Sequence, residues 1–210
     1  MMFRGAVEMD TSCLQLPLRR VANDARWGRV VSAVCNTLGL RPAEYLAPGT
    51  APEYRHQLEL MLGVLGEWTS VVAVASRRAR RTAIEDVSGA LVTFADGTIA
   101  NVVSSSLAPR EVNYLRFDFE HATVEVSDCA DWRLTAVPGR EAPVAQAWSE
   151  SLQHAEACDG HRPGHGTLEL LAAVRLSAES GRPVDRSSLA TAESARTSNS
   201  SDRRANRPSS

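Results

Sequence analysis

No lysine occurs anywhere in these 210 residues; all 23 basic side chains are arginine. Lysine is normally among the commonest residues, and a genome biased toward GC-rich codons accounts for its loss. Whatever the cause, the chain cannot form a Schiff base, supply a phosphate-loop lysine or pass a proton through an ammonium group. Cysteine is also scarce. Cys13, Cys35, Cys129 and Cys158 include no C-x-x-C pair, and the opening MMFRGAVEMDTS has no basic flank followed by an apolar stretch, so it does not read as a secretory leader. The thiols therefore read as reduced and cytoplasmic, with Cys35 and Cys129 as small buried hydrophobes. No apolar run approaches the roughly 18 residues that span a bilayer. A net charge of −2 gives no electrostatic reason for a nucleic-acid or membrane partner. G-x-G-x-x-G, G-x-S-x-G and H-E-x-x-H are all missing. With them go the marks of a dinucleotide-binding half, a common hydrolase and a zinc protease.

What is present is an ordinary soluble composition, 43% apolar and 23% charged. A region of this size buries about two thirds of its unfolded surface, so it needs neither disulfide nor metal to fold. Residues 1–24 read as a helical lead-in, with Leu14, Leu16, Leu18 and Val21 among arginines. The folded domain spans 25–186. The Ser-, Thr-, Ala- and Arg-rich segment 187–210 has no large apolar residue after Leu189 and is expected to be disordered.

Within the domain, Arg29–Thr37 reads as a first strand, followed by a Pro- and Gly-containing loop. Tyr54, Leu58, Met61, Leu62 and Leu65 fall at helical spacing over 52–65, with Gly66 placed to cap the helix. From Thr69 the period becomes two. Strands are expected at Ser70–Ser76, Val87–Phe94, Thr98–Leu107, Tyr114–Glu120, Thr123–Ser127 and Asp131–Val137. Asp96-Gly97 marks a tight hairpin. A short helix fits near 144–156, and a last one runs over His165–Ser180 before Gly181 and Pro183. The implied fold is α+β: a large, mostly antiparallel sheet with helices packed on one face.

Few residues suggest chemistry. His56 lies about 200° from the start of the apolar stripe of its helix, and Glu59, three positions on, is placed to orient it. The polar stretch holding His154, Cys158, Asp159, His161 and His165 matches no zinc spacing, so no metal site is expected. Arg77, Arg78, Arg80 and Arg81 read as a solvated turn.

Four segments in order resemble the C-terminal domain of the Gfo/Idh/MocA oxidoreductases. They are RWGRVVSAVCNTLGLRP (26–42), HQLELMLGVLGEWTSVVA (56–73), EDVSGALVTFADGTIANVVSS (85–105) and HGTLELLAAVRLSAESGRPV (165–184). The resemblance covers roughly 20–186 and implies NAD- or NADP-dependent chemistry on sugars, inositols or similar polyols. It implies that His56 is the histidine of the family's D-x-x-x-H motif, a proton-transfer group at the substrate hydroxyl. It also implies a broad sheet used for homo-oligomerisation, and Arg116, Asp118, Glu120, Thr123 and Glu125 suit a polar interface there. The candidate substrate contacts are Tyr54, Glu59, Arg41 and His165. Two features depart from the family. Pro52 stands where the motif aspartate is expected, and neither the glycine-rich fingerprint nor the E-K-P lysine is present. The chain alone is therefore expected to bind no nicotinamide cofactor. Either it is the substrate and oligomerisation half of such an oxidoreductase, encoded short or read from an internal start and served by a Rossmann-domain partner, or it is a non-catalytic binding or assembly protein on the same domain.

Overall fold

Strands dominate because apolar and polar side chains alternate along most of the chain, and one sheet satisfies them all. The structure, a computed structural model, describes residues 2–6, 18–41, 55–79, 85–127, 131–139 and 165–189. Its strands are β1 (Met2–Ala6), β2 (Val30–Leu40), β3 (Trp68–Ser76), β4 (Val87–Phe94), β5 (Ile99–Ser105), β6 (Leu107–Phe119), β7 (Ala122–Ser127), β8 (Asp131–Ala136) and β9 (Val184–Asp185). They form one nine-stranded sheet in the order β1-β8-β7-β6-β2-β5-β4-β3-β9. Every neighbouring pair is antiparallel except β2 and β5. Helices α1 (Arg55–Leu65) and α2 (His165–Ser180) cover one face. The α+β fold with a mostly antiparallel sheet is therefore as expected.

The core lies between that face and the helices. Cα pairing sets its side chains in rows across the strands. Phe117, Ala33, Ala100, Val92 and Val71 make one row, and Leu115, Cys35, Val102, Ala90 and Ala73 the next. All ten are buried. Burial pushes the Cys35 thiol up to about 12, so it stays protonated and acts as a small hydrophobe. Trp27 packs on Phe119 with ring centroids 5.4 Å apart.

The local signals work as their chemistry suggests. At the β4–β5 hairpin Gly97 has φ +89, and Asp96 Oδ1 accepts the Thr98 N–H at 2.9 Å. Gly66 and Gly181 follow α1 and α2 as the sequence predicts. On α2 the fully buried Ser177 accepts the Ala73 N–H at 2.9 Å and donates to the Arg182 carbonyl at 2.7 Å. One hydroxyl thus ties the edge of β3 to the segment that becomes β9.

Several expectations need correction. Among the described residues of the lead-in, 18–22 are helical, as expected, but Met2–Ala6 is a strand paired with β8. The backbone run at 187–210 is helical through Leu189, which packs on the core, so order extends past 186. The rest of the expected tail, the helix near 144–156 and the other three cysteines lie outside the described residues. Strand β6 begins at Leu107, well before Tyr114. Pro109 is tolerated there because β7 pairs only with Tyr114–Asp118 and the β2 pairing is irregular between Leu38 and Leu40. Finally, β5 and β6 are separated only by Ser106 yet do not pair; β2 lies between them.

Candidate functional site

The first turn of α1 stands over the end of the sheet where the inward rows cease to be apolar. Buried Gln57 donates from Nε2 to Asn113 Oδ1 at 3.3 Å. The Asn113 side chain also hydrogen-bonds Glu111, which accepts from Arg41 Nη2 at 2.8 Å. Arg41, Glu111, Asn113 and Gln57 thus form one polar chain from the end of β2 to α1. The guanidinium of Arg41 holds the Glu111 carboxyl below its ordinary value. His56 immediately precedes Gln57 in α1, so its backbone belongs to this polar end.

The other candidates are drawn elsewhere. Glu59 lines a cavity of about 250 Å³ with Arg19, Gly66, Trp68, Gly166 and Arg186. His165 is the first residue of α2, beside Gly166, and so belongs to the cavity end. Gly66 is ten residues beyond His56, a rise of about 15 Å along a helix axis. Arg186 is already engaged, with Glu169 at 2.9 Å, Glu67 at 3.5 Å and the Trp68 ring centroid at 5.9 Å. The structure therefore brings Arg41 to the end of α1 that carries His56, and sets Glu59 at the cavity, with Gly166, the chain neighbour of His165, on its lining. Tyr54 lies outside the described residues, as do His154, Cys158, Asp159, His161, Arg80 and Arg81. Of the arginine run, Arg77 pairs with Glu85 at 3.3 Å. The Arg78 backbone N–H donates to Asp86 at 2.8 Å.

Gln57, Glu111 and Asn113 are functional candidates that the sequence analysis did not single out. A signal for Asn113 was available. Phe119, Phe117 and Leu115 point inward at period two, and the next member of that series is Asn113. A polar residue continuing a buried series is informative in a way that an exposed one is not.

The sequence of the two connections that lead into the helices does not suit a dinucleotide. The connection from β2 to α1, residues 41–54, contains a single glycine, Gly49; that into α2, residues 137–164, has Gly139, Gly160 and Gly164 without the G-x-G-x-x-G spacing. A pyrophosphate needs such a turn at a helix N-terminus, so these residues do not fit the group. Among the described residues no cluster of His, Cys, Asp and Glu is placed to hold a metal ion. Among them, too, no helix is long and apolar enough to cross a membrane.

The uncovered face of the sheet has two halves. Over β6–β8 its charges answer one another. Arg116 Nη2 bonds Asp118 at 2.7 Å, Thr123 and Ser32 donate to the same carboxylate, and Tyr114 donates to Glu125 at 2.5 Å. Desolvation works to raise the Asp118 carboxyl, but these hydrogen bonds prevail and it lies below its ordinary value. Burial, then the bond to Glu125, pushes the Tyr114 phenol up to about 12. Over β3–β5 the same face shows Val72 (48% exposed), Val74 (71%), Leu91 (53%) and Ile99 (51%).

A family model described as the GFO/IDH/MocA C-terminal domain matches residues 17–125. Comparison with curated proteins finds no match. Among solved structures, the WlbA dehydrogenase of Chromobacterium violaceum, in complex with NADH and UDP-GlcNAcA, aligns over 83% of this chain and 59% of its own, with 23% identity and a TM-score of 0.63. The Bordetella pertussis WlbA dehydrogenase aligns over 83% and 61%, with 20% identity and a TM-score of 0.61. An aldose-aldose oxidoreductase of Caulobacter crescentus, complexed with glycerol, aligns over 83% and 62%, with 20% identity and a TM-score of 0.60. These likenesses are of fold, and the chain spans 59–62% of the length of these three relatives.

Proposed function

The chain belongs to the Gfo/Idh/MocA oxidoreductases through its C-terminal domain, and on that premise we propose that it is the substrate-binding and oligomerisation half of such an enzyme. The substrate class is a sugar, inositol or similar polyol. His56 moves the proton of the reacting hydroxyl, a role suited to an imidazole that titrates near neutrality. One observation carries the reading: the polar chain Arg41–Glu111–Asn113–Gln57 converges on the turn that holds His56. NAD or NADP, when bound to the complete enzyme, supplies the hydride chemistry. This chain contributes substrate binding and proton transfer, and a Rossmann-domain partner holds the cofactor. The setting is the cytoplasm. Copies associate through the open sheet face, as the sequence suggested, but by its apolar half, Val72, Val74, Leu91 and Ile99, and not by Arg116, Asp118, Thr123 and Glu125, which already bond within the chain.

A second reading has its own observation. Pro52 occupies the place of the motif aspartate, and no lysine is available for the family's second proton-handling group. Both favour a binding or assembly protein that keeps the domain without its chemistry.

The test is an assay of the chain purified from its source with its partners, using NAD and NADP with a panel of sugars and inositols. The substrate-half reading expects turnover that falls roughly 10²–10⁴-fold in His56→Asn, the usual worth of a general base, with an unchanged melting temperature. An absent or undiminished rate favours the binding module. Calorimetric titration of the isolated chain with NAD or NADP is expected to give no binding; micromolar affinity contradicts the assignment of the cofactor to a partner.

A further inference from the structure

The two apolar rows of the helix-covered face are followed by a third row of different chemistry. Cα pairing aligns Asn113 with Thr37, Thr37 with Ser104, and Ser104 with Ser88, across the adjacent strands β6, β2, β5 and β4. Each is two residues from a buried member of the second row, Leu115, Cys35, Val102 or Ala90, so period-two alternation puts all four on the same face. We propose that Asn113, Thr37, Ser104 and Ser88 form a row that reads the non-reacting hydroxyls of a polyhydroxylated substrate. The inference rests on the polyol reading above and names the residues that would give it specificity.

Three features distinguish this row from a core that merely ends at water. Thr37 is 7% exposed, and its Oγ1 has no hydrogen-bond partner. A buried hydroxyl without a partner is rare in a folded protein and calls for a reason. The row is also uncharged, each member able both to donate and to accept, which matches hydroxyls and not phosphates or carboxylates. The nearby charges of Arg41 and Glu111 neutralise each other at 2.8 Å. Lastly, neighbouring strands set the side chains about 5 Å apart, comparable with the separation of non-adjacent hydroxyls across one sugar ring. Gln57 joins the row through Asn113 to the turn that carries His56. Contacts to the distant hydroxyls would therefore orient the reacting one toward that turn.

The test is a titration of the isotopically labelled full chain with myo-inositol and with glucose, followed by backbone amide NMR. Saturable shifts are expected at Thr37 and Ser104, the adjacent central pair, since the whole row spans about 14 Å and one ring bridges only neighbouring members. Thr37→Val keeps the shape and removes the hydroxyl. It should weaken binding about tenfold, the effect of losing a recognition hydrogen bond, with a melting temperature equal to or above that of the parent. Ser104→Ala should weaken it similarly, and Thr123→Val, on the opposite face, should not. Saturable shifts confined to other residues, or affinities untouched by both Thr37→Val and Ser104→Ala, overturn the row and leave the polyol reading standing. No saturable shift with either polyol overturns both.

Discussion

Leu91 and Val92 are neighbours on β4, and they live in different solvents. Val92 is fully buried in the first core row, whereas Leu91 is half exposed on the open face. The same contrast divides the open face itself. Over β6–β8 the polar groups are joined into networks around Asp118 and Glu125, while over β3–β5 aliphatic side chains meet water. The lesson is that this sheet does not have an apolar side and a polar side. It has one side closed by its own helices, a quarter closed by its own charges, and a quarter left for something else.

Four substitutions test that division, in order of falling cost. Val92→Asp places an unpaired carboxylate among buried rows and should cost more than about 4 kcal/mol, enough to leave no cooperative thermal transition. A folded Val92→Asp protein would show that the inner rows are looser than their burial implies. Ser177→Ala removes the hydroxyl that joins Ala73 to Arg182 and orphans a buried N–H. A loss of about 1–3 kcal/mol is expected by denaturant titration, with hydrogen exchange accelerated at Ala73 and Val184.

Asp118→Asn probes the charged quarter, with an expected cost of about 1 kcal/mol at neutral pH. The native state holds this carboxyl below its ordinary 3.8, so its contribution is complete above the unfolded value. It disappears as pH falls through the lower native one. The stability difference between parent and Asp118→Asn should therefore be flat above about pH 5 and shrink below about pH 4. A difference that grows on acidification means the network does not stabilise the anion. Leu91→Asp, one residue from the most damaging change, should alter stability by less than about 0.5 kcal/mol and convert an oligomer to monomer in light scattering. If the parent is already monomeric at tens of micromolar (roughly the regime of weak interfaces), or Leu91→Asp leaves the oligomer intact, the apolar quarter is not the contact.

Most of this fold is legible in the sequence because half-buried strands print their alternation directly. Val87–Phe94 and His165–Ser180 have the bounds that the pattern predicts. What escapes is whatever depends on a distant partner. Two-residue β9 exists because Val71 and Ser70 offer it an edge. The start of β6, LAPREV, has no alternation and is a strand only because β2 lies beside it. The same holds for the candidate site. His56 stands out by its helical spacing, but Asn113, Thr37, Ser104 and Ser88 lie on four strands, and only register reveals that they share a row. Glu59, one turn beyond His56, lines a cavity with Gly66 and Gly166 for reasons of packing that no local pattern carries.

The placement of β2 between β5 and β6 has a consequence for how the protein is made. Residues 30–40 leave the ribosome before both of their permanent neighbours, which arrive only when residues 99–119 have been synthesised. At ordinary elongation rates that delay is roughly 4–16 s, during which a valine-rich segment has both edges bare. Meanwhile β5 and β6 are consecutive in the chain and can pair by fraying a residue or two at their junction, and local pairing is faster than non-local pairing. If they close on each other first, the central slot of the sheet is filled and β2 is shut out. The nascent chain must therefore keep β5 and β6 apart, and that makes it a candidate for chaperone capture and for strand-exchanged aggregates built on β2.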